Sequence, residues 1–300
     1  MSLTDTLSDV GFGIGWSAIR RLPEPVVDRG FRAIADRTYR KDGPSVHQLR
    51  SNLARVLDEE ALGSLEDVTR ENLRLYMRYW SEVFCLPGWD SARLRDSFNL
   101  RSGVDLLDDA VNAGRGAIMV ASHSGNWDLA GAWACDRYGS ITTVAEQVKP
   151  EALFDKFVTY RQSLGMEVLP LGGSDTLRTL VRRLREGQLV CLVADRDISG
   201  TGVPVDFFGE KASIPAGPAT MSLMTGAPIM PVRLWHTSDG LQARVDPGLP
   251  SPTSTDRAER VLELTQSMAD ALADSIREHP ADWHMLQRLW LSDLPTRPVS

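Results

Sequence analysis

Between residues 117 and 194 short apolar runs alternate with longer stretches of helical spacing, and this alternation constrains the fold more than anything else in the chain. Ala117-Ile118-Met119-Val120-Ala121 and Leu189-Val190-Cys191-Leu192-Val193 are continuous apolar runs of strand length, as expected of strands covered on both faces. Further strands are predicted near 141–145 and 166–170, with helices over 127–138, 151–164 and 174–186. Strand and helix in turn give parallel strand pairs under helical layers. Later runs at 227–232 and 241–245 suggest more strands, and 256–278 reads as a helix after the polar connector Ser251 to Asp256. Upstream, Val46–Leu57 and Leu65–Phe84 have helical periodicity, with Pro87-Gly88 closing the second segment. The fold class expected is α/β, a mixed central sheet flanked by helices.

Composition narrows the function. A chain of 300 residues with 42% hydrophobic and 24% charged content can bury one large core, so residues 1–300 are expected to form a single domain. A net charge of −7 argues against a general nucleic-acid binder, and Arg182, Arg183 and Arg185 read as a solvated helix face. Cys85, Cys135 and Cys191 are widely separated and lack metal-site spacing; they read as small apolar groups in a reducing compartment. No His-x-His, His-Glu-x-x-His or compact carboxylate cluster supplies a metal site, so no metal is expected.

No secretory signal is seen and no segment approaches the roughly 20 apolar residues that span a bilayer. The chain is expected to stay cytoplasmic, with peripheral membrane contact at most. Leu3, Leu7, Val10 and Ile14 mark residues 1–22 as an amphipathic helix. It either lies in the membrane interface, with Trp16 at headgroup depth and Arg20, Arg21, Arg29 and Arg32 meeting anionic lipid, or packs on its own domain. Asp5 and Asp9 weaken the electrostatic half of the first reading.

His123-Ser124-Gly125-Asn126-Trp127-Asp128 follows the first apolar run, at the strand end where catalytic groups collect in α/β proteins. Five residues apart on a continuous helix, the two side chains would point roughly 140° apart; a loop entering a helix near Trp127 can bring them together. His123 would then be a general base oriented by Asp128, with free helix N–H groups beside it for an anion or an oxyanion. The competing reading is an ordinary hydrogen-bonded pair. Tyr76, Tyr79, Trp80 and Phe84, at i, i+3, i+4 and i+8, either line an apolar channel or fill the core, core filling being the default for such a stripe.

His123-x4-Asp128, Val205-Asp206-Phe207-Phe208-Gly209-Glu210, Pro215-Ala216-Gly217-Pro218 and Thr225-Gly226-Ala227-Pro228 resemble the successive motifs of the bacterial lipid A biosynthesis acyltransferases, within the glycerolipid acyltransferase superfamily. The Ser-Gly-Asn-Trp filling, Thr143-Val144-Ala145-Glu146, Tyr160-Arg161, Ser163-Leu164-Gly165 and the block from His279 to Gln287 are similar to actinobacterial phosphatidylinositol mannoside acyltransferases. The resemblance covers nearly the whole chain and implies a glycerolipid acyltransferase-like fold. It implies transfer of a long acyl chain, typically palmitoyl, from acyl-CoA as co-substrate to the 6-hydroxyl of a mannose on a phosphatidylinositol mannoside, at the anionic inner face of the plasma membrane, with no cofactor and no covalent intermediate.

The same resemblance implies a third catalytic residue, an acid, where Asp195 stands, usually glutamate; the shorter aspartate would hand its role to a water or weaken it, or else serve as a helix cap or partner of Arg196. The implied substrate-binding set is Ser124, Asn126, Trp127, Glu146, Arg161, Arg196, Phe208 and His284, with Glu146–Arg161 alternatively a mutual salt bridge and Trp283 structural. Phe207-Phe208-Gly209 would border the acyl tunnel near Lys211, or form a buried hairpin. A different glycolipid acceptor such as a lipid A-type sugar, a metal-dependent hydrolase and a non-enzymatic lipid carrier are the alternatives.

Overall fold

All five residues of the strand Ala117–Ala121 (β2) are buried, Ile118 and Val120 against one core and Ala117 and Met119 against another. Successive strand side chains point to opposite faces, so a run with no polar residue must be covered twice. The computed structural model, which describes Ile19 and residues 22–147 and 151–294, supplies both covers. The predicted helix over 1–22 lies, Ile19 apart, outside the described residues.

From Glu24 onward the described residues open with α1 (Glu24–Lys41), α2 (Pro44–Val56) and α3 (Leu65–Cys85). Short α4 (Ser91–Ser97) leads into β1 (Phe98–Ser102), and α5 (Val104–Asn112) into β2. The alternating core follows as α6 (Trp127–Tyr138), β3 (Ile141–Ala145), α7 (Glu151–Ser163), β4 (Met166–Pro170), α8 (Thr176–Arg185) and β5 (Leu189–Val193). A hairpin of β6 (Val203–Phe207) and β7 (Glu210–Ile214), α9 (Gly217–Thr225), β8 (Ile229–Thr237), β9 (Gly240–Val245) and α10 (Arg257–Glu278) complete the order.

Seven strands form one sheet in the order β1-β9-β8-β2-β5-β3-β4. Every neighbouring pair is parallel except β8 with β9, so the sheet is mixed and helix-flanked, as the alternation predicts. The edge strand β1 is an addition; its run Phe98-Asn99-Leu100-Arg101-Ser102 is too polar to stand out as a strand. The chain leaves β2 for β3 and later inserts β5 between them, which puts the reversal of strand order beside the carboxyl end of β2, where α/β sheets open a crevice.

The stretch Phe207-Phe208-Gly209 resolves as a hairpin turn. Phe208 and Gly209 have φ of 53° and 80°, the two positive angles of the tight turn that suits a twisted β-ribbon. Val205, Phe207, Ala212 and Ile214 face inward while Asp206 and Lys211 pair outside at 3.0 Å. Arg183 of α8 pairs with Glu167 at 2.6 Å, and Arg182 points to Glu186, so these arginines do lie on a solvated face.

After α10 the chain runs as a strap behind the β2–α6 loop. Asn52 of α2 donates to the carbonyls of Met285 and Gln287 (2.8 and 2.9 Å), and Asn72 of α3 donates to that of Trp283 (2.6 Å). The strap meets the loop itself: His284 N–H donates to the His123 carbonyl at 2.7 Å and Gly125 N–H to that of Asp282 at 3.2 Å.

Candidate active site

The register of β2 against β5 fixes the centre of the site. Ala121 lies opposite Val193, so two residues further on His123 lies beside Asp195. Their contact is direct: His123 Nδ1 and Asp195 Oδ1 are 2.5 Å apart, and Asp195 Oδ2 accepts from the His123 backbone N–H (2.9 Å) and from the Trp283 indole N–H (2.8 Å). A carboxylate only accepts, so Nδ1 carries the ring proton and Nε2 keeps its lone pair. Asp195 is fully buried. Burial alone would raise its carboxyl, but the His123 imidazole and the three hydrogen bonds outweigh it, and the net pKa lies below the ordinary aspartate value.

Here the structure corrects the sequence. Asp128 does not bond the imidazole; its Oδ1 and Oδ2 accept from Arg161 (2.6 and 3.3 Å), and Oδ2 also from the Tyr79 hydroxyl (2.8 Å). The reason is helical. Asn126 caps α6, its Oδ1 accepting from Leu129 N–H at 2.9 Å, so Asp128 is already inside the first turn and its side chain is carried to α7 and α3, away from the strand ends. Nor does Asp195 need a water to reach the ring. Arg161 takes Asp128 as partner in place of the Glu146 pairing considered above; its guanidinium is driven above its ordinary value by Asp128 in spite of burial.

His123 faces a cavity of about 650 Å³ lined also by Tyr76, Tyr79, Trp80, Trp127 and His284, with Glu146, Arg161 and Arg196 as charged wall. Trp127 meets the His123 ring edge-on at 5.5 Å between centroids. A narrower apolar chamber of about 110 Å³ lies under the sheet among Phe98, Met119, Trp133, Met166 and Val245. Trp127, Val144, Arg161, Leu192 and Val193 line both spaces. Cys191, Leu192 and Val193 are therefore only partly buried although their strand is apolar throughout.

Of the substrate-binding set, Trp127, Glu146, Arg161, Arg196 and His284 line this cavity, Glu146 at its exposed rim. Three do not. Ser124 is buried against Ser122 (Oγ to Oγ, 2.8 Å) and bridges Trp283; Asn126 is fully buried, capping α6 and donating to Glu82 at 2.7 Å; Phe208 packs on Trp283 and Trp290 beneath Arg277. Trp283 combines core packing with its bond to Asp195.

His284 is buried, its ring tilted against Tyr76 at 5.2 Å, and neither ring nitrogen completes a hydrogen bond among the described residues. Burial first, and then the charge of His236, hold it well below the ordinary histidine value, so it is neutral. A neutral imidazole offers one donor and one acceptor, the pairing suited to a hydroxyl. Among the described residues no cluster of three or more potential metal ligands occurs.

Two residues that the sequence reading missed stand behind the loop, Glu82 and His236. Both are ordinary letters inside a helix and a strand, and no local pattern distinguishes them.

The model of the bacterial lipid A biosynthesis acyltransferases matches residues 9–292. A phosphatidylinositol mannoside acyltransferase of Mycolicibacterium smegmatis is 44% identical over 290 residues, 96% of this chain and 93% of the relative. Proteins of the same name from two Mycobacterium tuberculosis strains are each 45% identical over 296 residues, covering 98% of this chain and 92% of theirs. The match therefore spans every described strand, His123 and the strap behind it: the chain belongs to the bacterial lipid A biosynthesis acyltransferase family.

Proposed function

We propose that the chain transfers a long-chain acyl group, palmitoyl in the first instance, from acyl-CoA to the 6-hydroxyl of a mannose on a phosphatidylinositol mannoside. The acceptor is suggested by the names of the relatives. The observation that carries the chemistry is the His123 imidazole in the wall of the cavity, its Nδ1 held by a buried, ionised Asp195. Nε2 takes the proton of the sugar hydroxyl as that oxygen attacks the thioester carbonyl, and Asp195 stabilises the imidazolium that forms. The carbon–sulfur bond then breaks, the imidazolium returns the proton to sulfur, and coenzyme A leaves as a thiol. No cofactor is consumed.

The apolar chamber suits the acyl tail, and Arg196 offers a cation to a phosphate of either substrate. Both substrates reside at or near a membrane, and α1 presents a matching surface: Val26 and Ile34, with Leu22 just ahead of the helix, are half-exposed, flanked by exposed Arg29, Arg32, Arg37 and Arg40. We place the enzyme peripherally on the cytoplasmic face of the plasma membrane.

The test is thiol release from palmitoyl-CoA by the purified protein on anionic vesicles containing mannosylated phosphatidylinositol, with the product identified by mass spectrometry. His123→Ala is expected to abolish release while vesicle association persists. Full activity in that variant would overturn the base assignment, and wild-type transfer only to a different glycolipid would replace the acceptor.

A further inference from the structure

We propose that His236 is a positioning residue for the base His123, gripping the β2–α6 loop from behind through Asp282 and Glu82. This rests on the acyl-transfer reading above.

The geometry is a two-armed bracket. His236, on β8, has its side chain 1% exposed and does not line the cavity. Its Nδ1 lies 3.0 Å from Asp282 Oδ1 and its Nε2 lies 3.4 Å from Glu82 Oε2. Carboxylate oxygens only accept, so an imidazole between two of them needs a proton on each nitrogen. A neutral ring would aim a lone pair at one carboxylate. His236 is thus a buried cation between two anions.

Each arm ends on the catalytic loop. Asp282 Oδ1 also accepts the His236 backbone N–H at 2.9 Å, which fixes residue 282 so that its carbonyl receives Gly125 N–H. Gly125 has a φ of 60°, and an added Cβ would sit 2.9 Å from the Leu241 side chain and 3.1 Å from the Leu234 backbone, so the loop is seated tightly on β8 and β9. On the other arm, Glu82 Oε2 accepts from Asn126 Nδ2 at 2.7 Å. That bond sets which way the Asn126 amide points, and so keeps its oxygen on Leu129 N–H as the cap of α6. His123 comes just ahead of both anchors, two residues before Gly125 and three before Asn126.

The charged groups around His236 are few. Glu82 faces it from α3, with Arg78 behind bonded to Glu82 Oε1 at 2.8 Å, Asp282 faces it from the strap, and neutral His284 is near enough to feel its charge. Burial alone would lower the pKa of His236; Asp282 and Glu82 reverse this and leave it above the ordinary histidine value. Glu82 in turn is held at about 2 by His236, Arg78 and Asn126 against the effect of its burial.

Amide substitutions separate the arms. His236→Asn keeps a donor at the Nδ1 position for Asp282, His236→Gln keeps one at the Nε2 position for Glu82, and neither serves both. Each is expected to lower kcat about 10- to 100-fold with both substrate KM values within about twofold, because the base is displaced while the cavity wall is not. Glu82→Gln removes one anion from the imidazolium and is expected to move the alkaline limb of the kcat profile to lower pH, leaving the acid limb in place. A nuclear magnetic resonance titration of the wild-type protein, which needs no variant, is expected to show both His236 ring N–H signals above neutral pH. Wild-type protein without transferase activity would refute the proposed function instead. Active wild type with unchanged kcat in both amide variants, an unmoved alkaline limb in Glu82→Gln, or a His236 ring with one N–H at pH 6 would each overturn the positioning role.

Discussion

Asp195 is the residue on which the proposed chemistry turns, because it meets the His123 imidazole, the His123 backbone and an indole at once. Asp195→Asn keeps the shape and turns a strict acceptor into a donor. It is expected to cut kcat by about 10²–10⁴-fold by favouring the wrong imidazole tautomer, with vesicle binding unchanged. Asp128→Asn should leave the tautomer of His123 intact, so its loss of kcat should be smaller; steady-state assays on the two variants decide the ranking. The sequence shows His123 and Asp195 equally plainly, each two residues beyond an apolar run. It does not show that those runs are neighbours. Nothing between residues 121 and 189 says that β5 returns to lie between β2 and β3, so the nearer carboxylate, Asp128, is the natural partner on paper. Adjacency along the chain is a weak guide where crossovers decide adjacency in space.

Between elements, the buried Asp128–Arg161 pair ties α6 to α7, with Tyr79 of α3 as third member. Asp128→Ala strands a guanidinium that is already out of water and should cost about 3–5 kcal/mol in urea denaturation, whereas the double substitution Asp128→Leu with Arg161→Met should recover most of it. The elements themselves were legible where one period ran without interruption: β2 through β5 and their helices fall within a residue or two of the runs that announce them. β1 was not, being a polar edge. The hairpin β6–β7 was ambiguous because an apolar turn pair, Phe208-Gly209, mimics the rim of a pocket. Phe208 is spent on covering Trp283 and Trp290.

Across the whole molecule, two buried ionisations bound the pH range of stability. Asp195, lowered below its ordinary 3.8, contributes stability present above that value and lost as pH falls through its folded pKa. His236, raised above 6.5, contributes stability fully present below that value and lost as pH rises through its folded pKa. Melting curves across pH should therefore droop on the alkaline side in wild type and less so in His236→Asn. The face of α1 belongs to this scale too: Arg29→Glu with Arg32→Glu should weaken binding to anionic vesicles on the order of 10- to 100-fold, and to neutral vesicles far less, in a sedimentation assay. All nine strands of the described residues precede Asp282, Trp283 and His284 in the order of translation. A ribosome-tethered intermediate that has already paired its entire sheet thus still lacks the carbonyl that receives Gly125 and the indole that steadies Asp195. On the proposed mechanism, competence therefore waits for the late-emerging segment even if the scaffold is already built.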